Sequence, residues 1–131
     1  MNEELERLIK DNDWDNISQY KHLKEDFIIE NQDKVNWFWI SSEQKLTKDF
    51  IREFQNKVNW YWISKYQKLT LDFIHEFQDK VDWDDISAYQ KLTLDFVKEN
   101  INRLNYYRLI ENSHLDQEAV KQIYEMYGEL V

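Results

Sequence analysis

The sequence contains no cysteine, no proline and a single glycine, Gly128. Without cysteine there is no disulfide framework, no thiolate nucleophile and no Cys-ligated zinc. One glycine near the C-terminus leaves no Gly-rich loop to cradle a phosphate. No apolar run approaches the roughly 20 residues needed to span a bilayer, and the opening MNEELERLIK is acidic and lacks a signal peptide's apolar segment. A soluble, cytoplasmic protein is the expectation. Positive charge is also scarce: 17 Lys and Arg stand against 26 Asp and Glu, for a net charge of −9. No basic stripe replaces the counterions of a nucleic acid, so direct nucleic-acid binding is not expected. The balance favours a basic protein partner, or is the solvated surface of a small helical protein.

What is present is repetition. Residues 36–58 and 59–81 are identical at 17 of 23 positions. Trp14, Trp37, Trp60, Trp83 and Tyr106 recur at that interval of 23, as do Ile17, Ile40, Ile63, Ile86 and Leu109. Leu23, Leu46, Leu69, Leu92 and Leu115 form another set, and Phe27, Phe50, Phe73, Phe96 and Ala119 a further one, each flanked by Ile28, Ile51, Ile74, Val97 or Val120. The expected division is a half-repeat over 1–12 with Leu5 and Leu8 on apolar positions, then copies at 13–35, 36–58, 59–81, 82–104 and 105–128.

Each copy reads as two helices. In the third, Asn59 is a good N-cap for a helix over about 60–67, with Trp60, Ile63 and Gln67 on one side. Thr70 caps a second helix whose stripe is Phe73, Ile74, Phe77 and Val81, and Asp82 caps the next copy. Asn, Asp and Thr start and end these helices with side-chain hydrogen bonds, so neither Gly nor Pro is required. Helices this short cannot bury their own stripe. The copies must stack, and the predicted fold is an all-α solenoid of about eleven helices forming one domain.

The pattern W-x-x-I-S-x-x-Q-x-L-T-x-D-F-I, carried by residues 14–104, resembles short tandem repeats of phage-associated, low-GC bacterial and giant-virus proteins. The composition agrees with coding from an AT-rich genome: two Ala against many Asn, Lys, Ile and Asp. The last copy, NYYRLIENSHLDQEAV, keeps the apolar positions and loses the Trp, Ser and Gln. The resemblance implies an interaction module of viral or mobile-element type and carries over no catalytic residue.

Catalytic, metal and cofactor sites are not expected. His22 and His114 stand where other copies have Lys45, Lys68 and Lys91, and His75 where others have Arg52 and Lys98, so all three read as surface. Ser18, Ser41, Ser64 and Ser87 have no His at useful spacing and bond back to the preceding helical turn. The acids of DWDD, 82–85, lack the spacing of a calcium loop and read as caps. Gln44, Gln67 and Gln90 are either a polar ladder that reads a peptide or, as preferred here, buried amides bridging backbone groups between copies.

Two sets of surface positions remain as binding candidates. After each repeating Trp come Asp15–Asn16, Phe38–Trp39, Tyr61–Trp62, Asp84–Asp85 and Tyr107–Arg108. On an ideal helix Trp62 lies about 200° from Trp60, nearly opposite the core. Phe38, Trp39, Tyr61 and Trp62 either fill seams between copies or form an aromatic hot spot rimmed by Asp84 and Asp85. On the second helices Asp49–Glu53 and Asp72–Glu76 repeat at i, i+4, and stacking would align them in rows about 10 Å apart. Such a ladder of carboxylates can imitate phosphates, or is a salt-bridged solvated face with Lys34, Lys57, Lys80 and Arg103 as counter-ions. The functional expectation is a non-catalytic protein-binding module. Its sharpest form is a phage-type inhibitor, anti-CRISPR-like and in one version a DNA mimic, that covers a basic nucleic-acid-binding surface of a host defence protein in the host cytoplasm. The alternative is a scaffold that self-assembles through its aromatic patch.

Overall fold

The computed structural model describes residues 2–129. Among them are eleven α-helices and no strand, and the fold is the expected all-α repeat array. The described chain forms two compact units, 2–67 and 68–129.

The first unit holds α1 (Glu3–Lys10), α2 (Trp14–Ser18), α3 (Glu25–Glu30), α4 (Trp37–Glu43), α5 (Lys48–Glu53) and α6 (Trp60–Tyr66). Its first helices pack in succession, α1 on α2, α2 on α4 and α4 on α6. The second unit holds α7 (Leu71–Glu76), α8 (Trp83–Tyr89), α9 (Leu94–Glu99), α10 (Tyr106–Leu109) and α11 (Gln117–Gly128). There α8 packs on α10 and α9 on α11, so like helix meets like helix one copy on.

Helices of four to seven residues are far below the length that persists alone, so capping and burial must hold them. The caps are where the sequence places them. Asn36 and Asn59 accept the backbone N–H groups of Phe38 and Trp62 at 3.0 and 3.2 Å, and Thr47, Thr70 and Thr93 accept those of Phe50, Phe73 and Phe96. Lys24 stands at the Thr position of the first copy and makes no side-chain cap. The Glu25 carboxylate beside it turns to the next copy and accepts the Thr47 N–H at 2.8 Å and its hydroxyl at 3.0 Å.

The recurring Ile17, Ile40, Ile63, Ile86 and Leu109 are fully buried, as are Ile28, Ile51, Ile74 and Val97 apart from a trace at Ile51. Phe50, Phe73, Phe96, Phe54 and Phe77 complete the stripe. At the Phe54 and Phe77 positions the first and fourth copies carry Asn31 and Asn100. Each donates its side-chain amide to the carbonyl of the Phe one turn earlier, Phe27 or Phe96, at 2.9 Å, so a polar residue closes the helix where an aromatic does elsewhere.

The polar repeat positions lock neighbouring copies together. Gln44 donates Nε2 to the carbonyls of Ser18 and Tyr20 at 3.0 and 2.6 Å while its Oε1 accepts the Leu23 N–H at 3.2 Å. Gln67 repeats the three bonds on Ser41, Gln44 and Leu46. Within the second unit Gln90 accepts the Leu69 N–H at 3.1 Å. These are the backbone-bridging amides preferred from the sequence. The last copy has Ser113 in that register, and Asn112, one residue earlier, takes the role by donating to Ser87 and Gln90 at 2.8 and 2.9 Å. The serines do more than expected. Ser18 and Ser87 donate back to Trp14 and Trp83 at 2.6 Å. In addition Ser18, Ser41 and Ser87 accept the N–H of the next copy's cap, Asn36, Asn59 and Asn105, at 2.8 to 2.9 Å. Three of the repeating Trp residues are likewise fixed by the indole N–H: Trp37, Trp60 and Trp83 donate to the carbonyls of Gln32, Gln55 and Gln78 at 2.9 to 3.0 Å.

Candidate partner-binding surface

With the core and the clips occupied, the positions after each Trp are the ones left to vary, and they differ in kind between the two units. In the first unit α4 presents Phe38 and Trp39 and α6 presents Tyr61 and Trp62. Phe38 and Tyr61 are 40% and 44% exposed, whereas Trp39 and Trp62 are half-buried. The Phe38 ring meets Trp39 edge-on at 4.9 Å and, across the seam, Trp62 edge-on at 5.0 Å. Tyr61 meets Trp62 edge-on at 4.7 Å. Edge-to-face pairs at these distances are the favourable geometry for rings with opposed quadrupoles. The two sequence alternatives therefore combine: Trp62 does not point away from the protein but lies in the α4–α6 seam, and its neighbours leave the rim of the cluster in solvent.

Two residues outside the candidate set complete the cluster. Tyr66, 53% exposed, stacks on Trp62 at 5.3 Å with 9° between the planes. Lys65 places its Nζ 5.4 Å from the Trp62 centroid, 5.3 Å from Tyr66 and 6.0 Å from Tyr61. The signal was available, because Lys65 and Tyr66 replace Ser42 and Glu43 and are two of the six differences between otherwise identical copies.

In the second unit the same positions are ionic except at Tyr107, which is 75% exposed. Asp84 is exposed and accepts the Asn105 side-chain amide at 3.1 Å. Asp85, expected on an exposed rim, is instead 2% exposed and is withdrawn from the surface. The reason is Arg108, one copy on, whose Nη2 lies 3.5 Å from Asp85 Oδ1 and whose guanidinium sits 5.8 Å over the Tyr89 ring. Asp85 also donates its backbone N–H to the Asp82 cap.

The acidic candidates of the second helices are exposed in both units: Asp49 and Glu53 on α5, Asp72 and Glu76 on α7. Asp49 pairs with Arg52 at 2.8 Å, an exposed i, i+3 contact of small net worth. The nearby cations are engaged elsewhere. Lys57 reaches Gln32 and Asp33 at 2.9 and 3.3 Å, Lys34 lies over Trp14, and Arg103 lies over Trp83 while bonding Gln78. Within the first unit, then, Lys57 and Lys34 are directed to other groups than the Asp49–Glu53 pair.

His22, His75 and His114 are exposed, as their exchange with Lys and Arg suggests. Among the described residues no group of three or more His, Cys, Asp or Glu side chains is placed to hold a metal ion, and no helix is long and apolar enough to cross a membrane. No family model, curated protein or solved structure matches this chain.

Proposed function

We propose that this chain is a non-catalytic protein-binding repeat module. Its anchor is the aromatic cluster of the first unit, Phe38, Trp39, Tyr61 and Trp62, and its exposed carboxylates Asp49, Glu53, Asp72, Glu76 and Asp84 steer a basic partner. The observation that carries the reading is that Phe38 and Tyr61, 40% and 44% exposed, both meet Trp62 edge-on, at 5.0 and 4.7 Å, in one cluster. Rings held by edge contacts and half in solvent have the composition of a binding hot spot. The net charge of −9 adds long-range attraction for a cationic surface.

The sharper form of the proposal is a phage-type inhibitor that covers the basic nucleic-acid-binding surface of a host defence protein. The likeness of the repeat pattern to phage-associated and giant-virus repeats supports that form, as do the exposed carboxylates of α5 and α7. The test is capture of a nucleic-acid-binding protein that the chain displaces from its nucleic acid. Trp39→Ala and Trp62→Ala should each cost about 2 kcal/mol of that binding, with helix content unchanged. Loss of capture on charge reversal at Asp49, Glu53, Asp72 and Glu76 together, with the Trp variants unaffected, would shift the anchor to the carboxylates and make phosphate mimicry the mechanism. A mass that rises with concentration and falls in the Trp variants, with no displacement activity, would make the chain a self-assembling scaffold instead.

A further inference from the structure

Lys65 occupies a particular place. Its ammonium lies within 5.3 to 6.0 Å of the centroids of Trp62, Tyr66 and Tyr61, three rings of its own helix. Trp62 and Tyr66 are stacked nearly parallel, and this platform of two rings is electron-rich on its π-faces. The same repeat position in the second unit shows what such a ring accepts. Tyr89 stands one repeat after Tyr66, and there a guanidinium, that of Arg108, covers the ring at 5.8 Å. Elsewhere in that unit Arg103 covers Trp83 at 5.7 Å. Cations thus cover several rings of this array, a lysine at Trp14 and arginines at Trp83 and Tyr89.

We propose that the Trp62–Tyr66–Tyr61 face is a recognition site for an arginine side chain of a basic partner, with Lys65 holding that place in the free protein. The inference rests on the reading of this cluster as the binding surface. A guanidinium is planar and more weakly hydrated than an ammonium, so it gains more from stacking on the platform. Lys65 is on a flexible four-carbon stem and its ammonium is strongly hydrated, so it can yield the position to solvent at small cost. The surplus of negative charge on the chain favours the arriving cation. Lys65 also sets a threshold: neutral apolar side chains must displace a bound ammonium and gain no charge interaction in return.

The test is an NMR titration of the full chain, followed at the six indole N–H signals, with a blocked Gly-Arg-Gly peptide as probe and its citrulline analogue as the uncharged control. The arginine peptide should move the Trp62 signal most, and the citrulline peptide should not move it. Lys65→Gln should tighten the arginine peptide by about two- to fivefold, the range an exposed cation–π contact supports. Tyr66→Ala, a substitution of an exposed side chain, should weaken it by a similar factor and leave the fold intact. Equal shifts of all six signals, or unchanged affinity in Lys65→Gln, would overturn the site. If Lys65→Gln has no effect while Trp62→Ala still costs the protein partner its binding, only the arginine site falls. If Trp62→Ala leaves partner binding intact, the binding surface itself has been misassigned.

Discussion

The second residue after the repeating Trp or Tyr is Trp39 and Trp62 in the second and third copies of the first unit, whose first copy carries Asn16, and Asp85 and Arg108 in the second unit. One unit fills that position with edge-packed rings, the other with a carboxylate that is 2% exposed and its guanidinium at 3.5 Å. The backbone around Trp39 and Asp85 is the same: an Asx cap before the helix and a Ser accepting the next cap's N–H. The clips hold the copies in register, so the position after the Trp is relieved of that duty and its chemistry can change completely. The two solutions differ in what they contribute. Rings gain from area and quadrupole geometry and stay useful at a surface. A buried ion pair recovers its desolvation cost only while both partners are present.

The largest effect comes from breaking the frame that the two units share. Phe73 is 1% exposed in the second unit, and Phe73→Ala should destabilise the protein by about 3–5 kcal/mol. Thermal or denaturant unfolding followed by far-UV circular dichroism checks this. A loss below about 1 kcal/mol would mean that the Phe stripe is not what holds the second helices.

That frame was the legible part of the sequence. A period of 23, apolar residues at fixed phase and Asn, Asp or Thr before each helix define the helices, their caps and the buried Ile and Phe sets. The bridging amides were legible because Gln44, Gln67 and Gln90 repeat where a surface residue would be free to vary. What was not legible depends on distances between copies. The Asp85–Arg108 pair joins positions 23 residues apart whose types match no other copy, so periodicity treats both as exceptions. The Lys65–Tyr66 contribution requires ring orientation, which spacing alone does not contain. Asn112 takes the Gln role one residue out of register, after a helix, α10, of only four residues, and a fixed period does not contain that shift.

The second effect in size tests the ionic seam. Arg108→Ala leaves Asp85 buried without its cation, and about 3 kcal/mol of stability should be lost. Adding Asp85→Asn should return much of it, because an amide needs no counter-charge. The corresponding truncation in the aromatic seam, Phe38→Ala, removes a half-exposed ring and should cost nearer 1 kcal/mol. If Arg108→Ala costs no more than Phe38→Ala, the two seams are energetically alike and the contrast between them is only one of composition.

A smaller effect separates the units by pH. Tyr127, in α11 of the second unit, donates its hydroxyl to the Ile101 carbonyl at 3.0 Å and packs its ring 5.1 Å from Tyr106. Burial raises its pKa above the ordinary 10.0, since the phenolate is the form that burial disfavours. Its contribution is therefore fully present below pH 10 and is lost as the pH rises through the folded-state value. The alkaline loss of stability should be reduced in Tyr127→Phe, measured as unfolding midpoints from pH 8 upward. An unchanged alkaline slope would assign the loss to other groups.

The smallest change in stability is the most informative about function. Asp15 and Asp84 stand one residue after their Trp and accept the next copy's cap amide, Asn36 at 2.8 Å and Asn105 at 3.1 Å. Phe38 occupies that position in the second copy, followed by Asn59 as the next cap. Phe38→Asp copies the outer copies' solution into the aromatic region. It forfeits the ring contacts to Trp39 and Trp62, and it gains a cap-amide acceptor and a carboxylate in the first turn of α4, where the helix dipole favours an anion. These terms are each on the order of 1 kcal/mol and opposed, so stability should move by less than about 1 kcal/mol. Binding of a protein partner, by contrast, should fall by about 2 kcal/mol, as for other anchor residues. A stable variant that no longer binds would mean that folding does not require an aromatic there and that recognition does. A variant that loses stability and binding in parallel would return Phe38 to the seam and move the binding surface elsewhere.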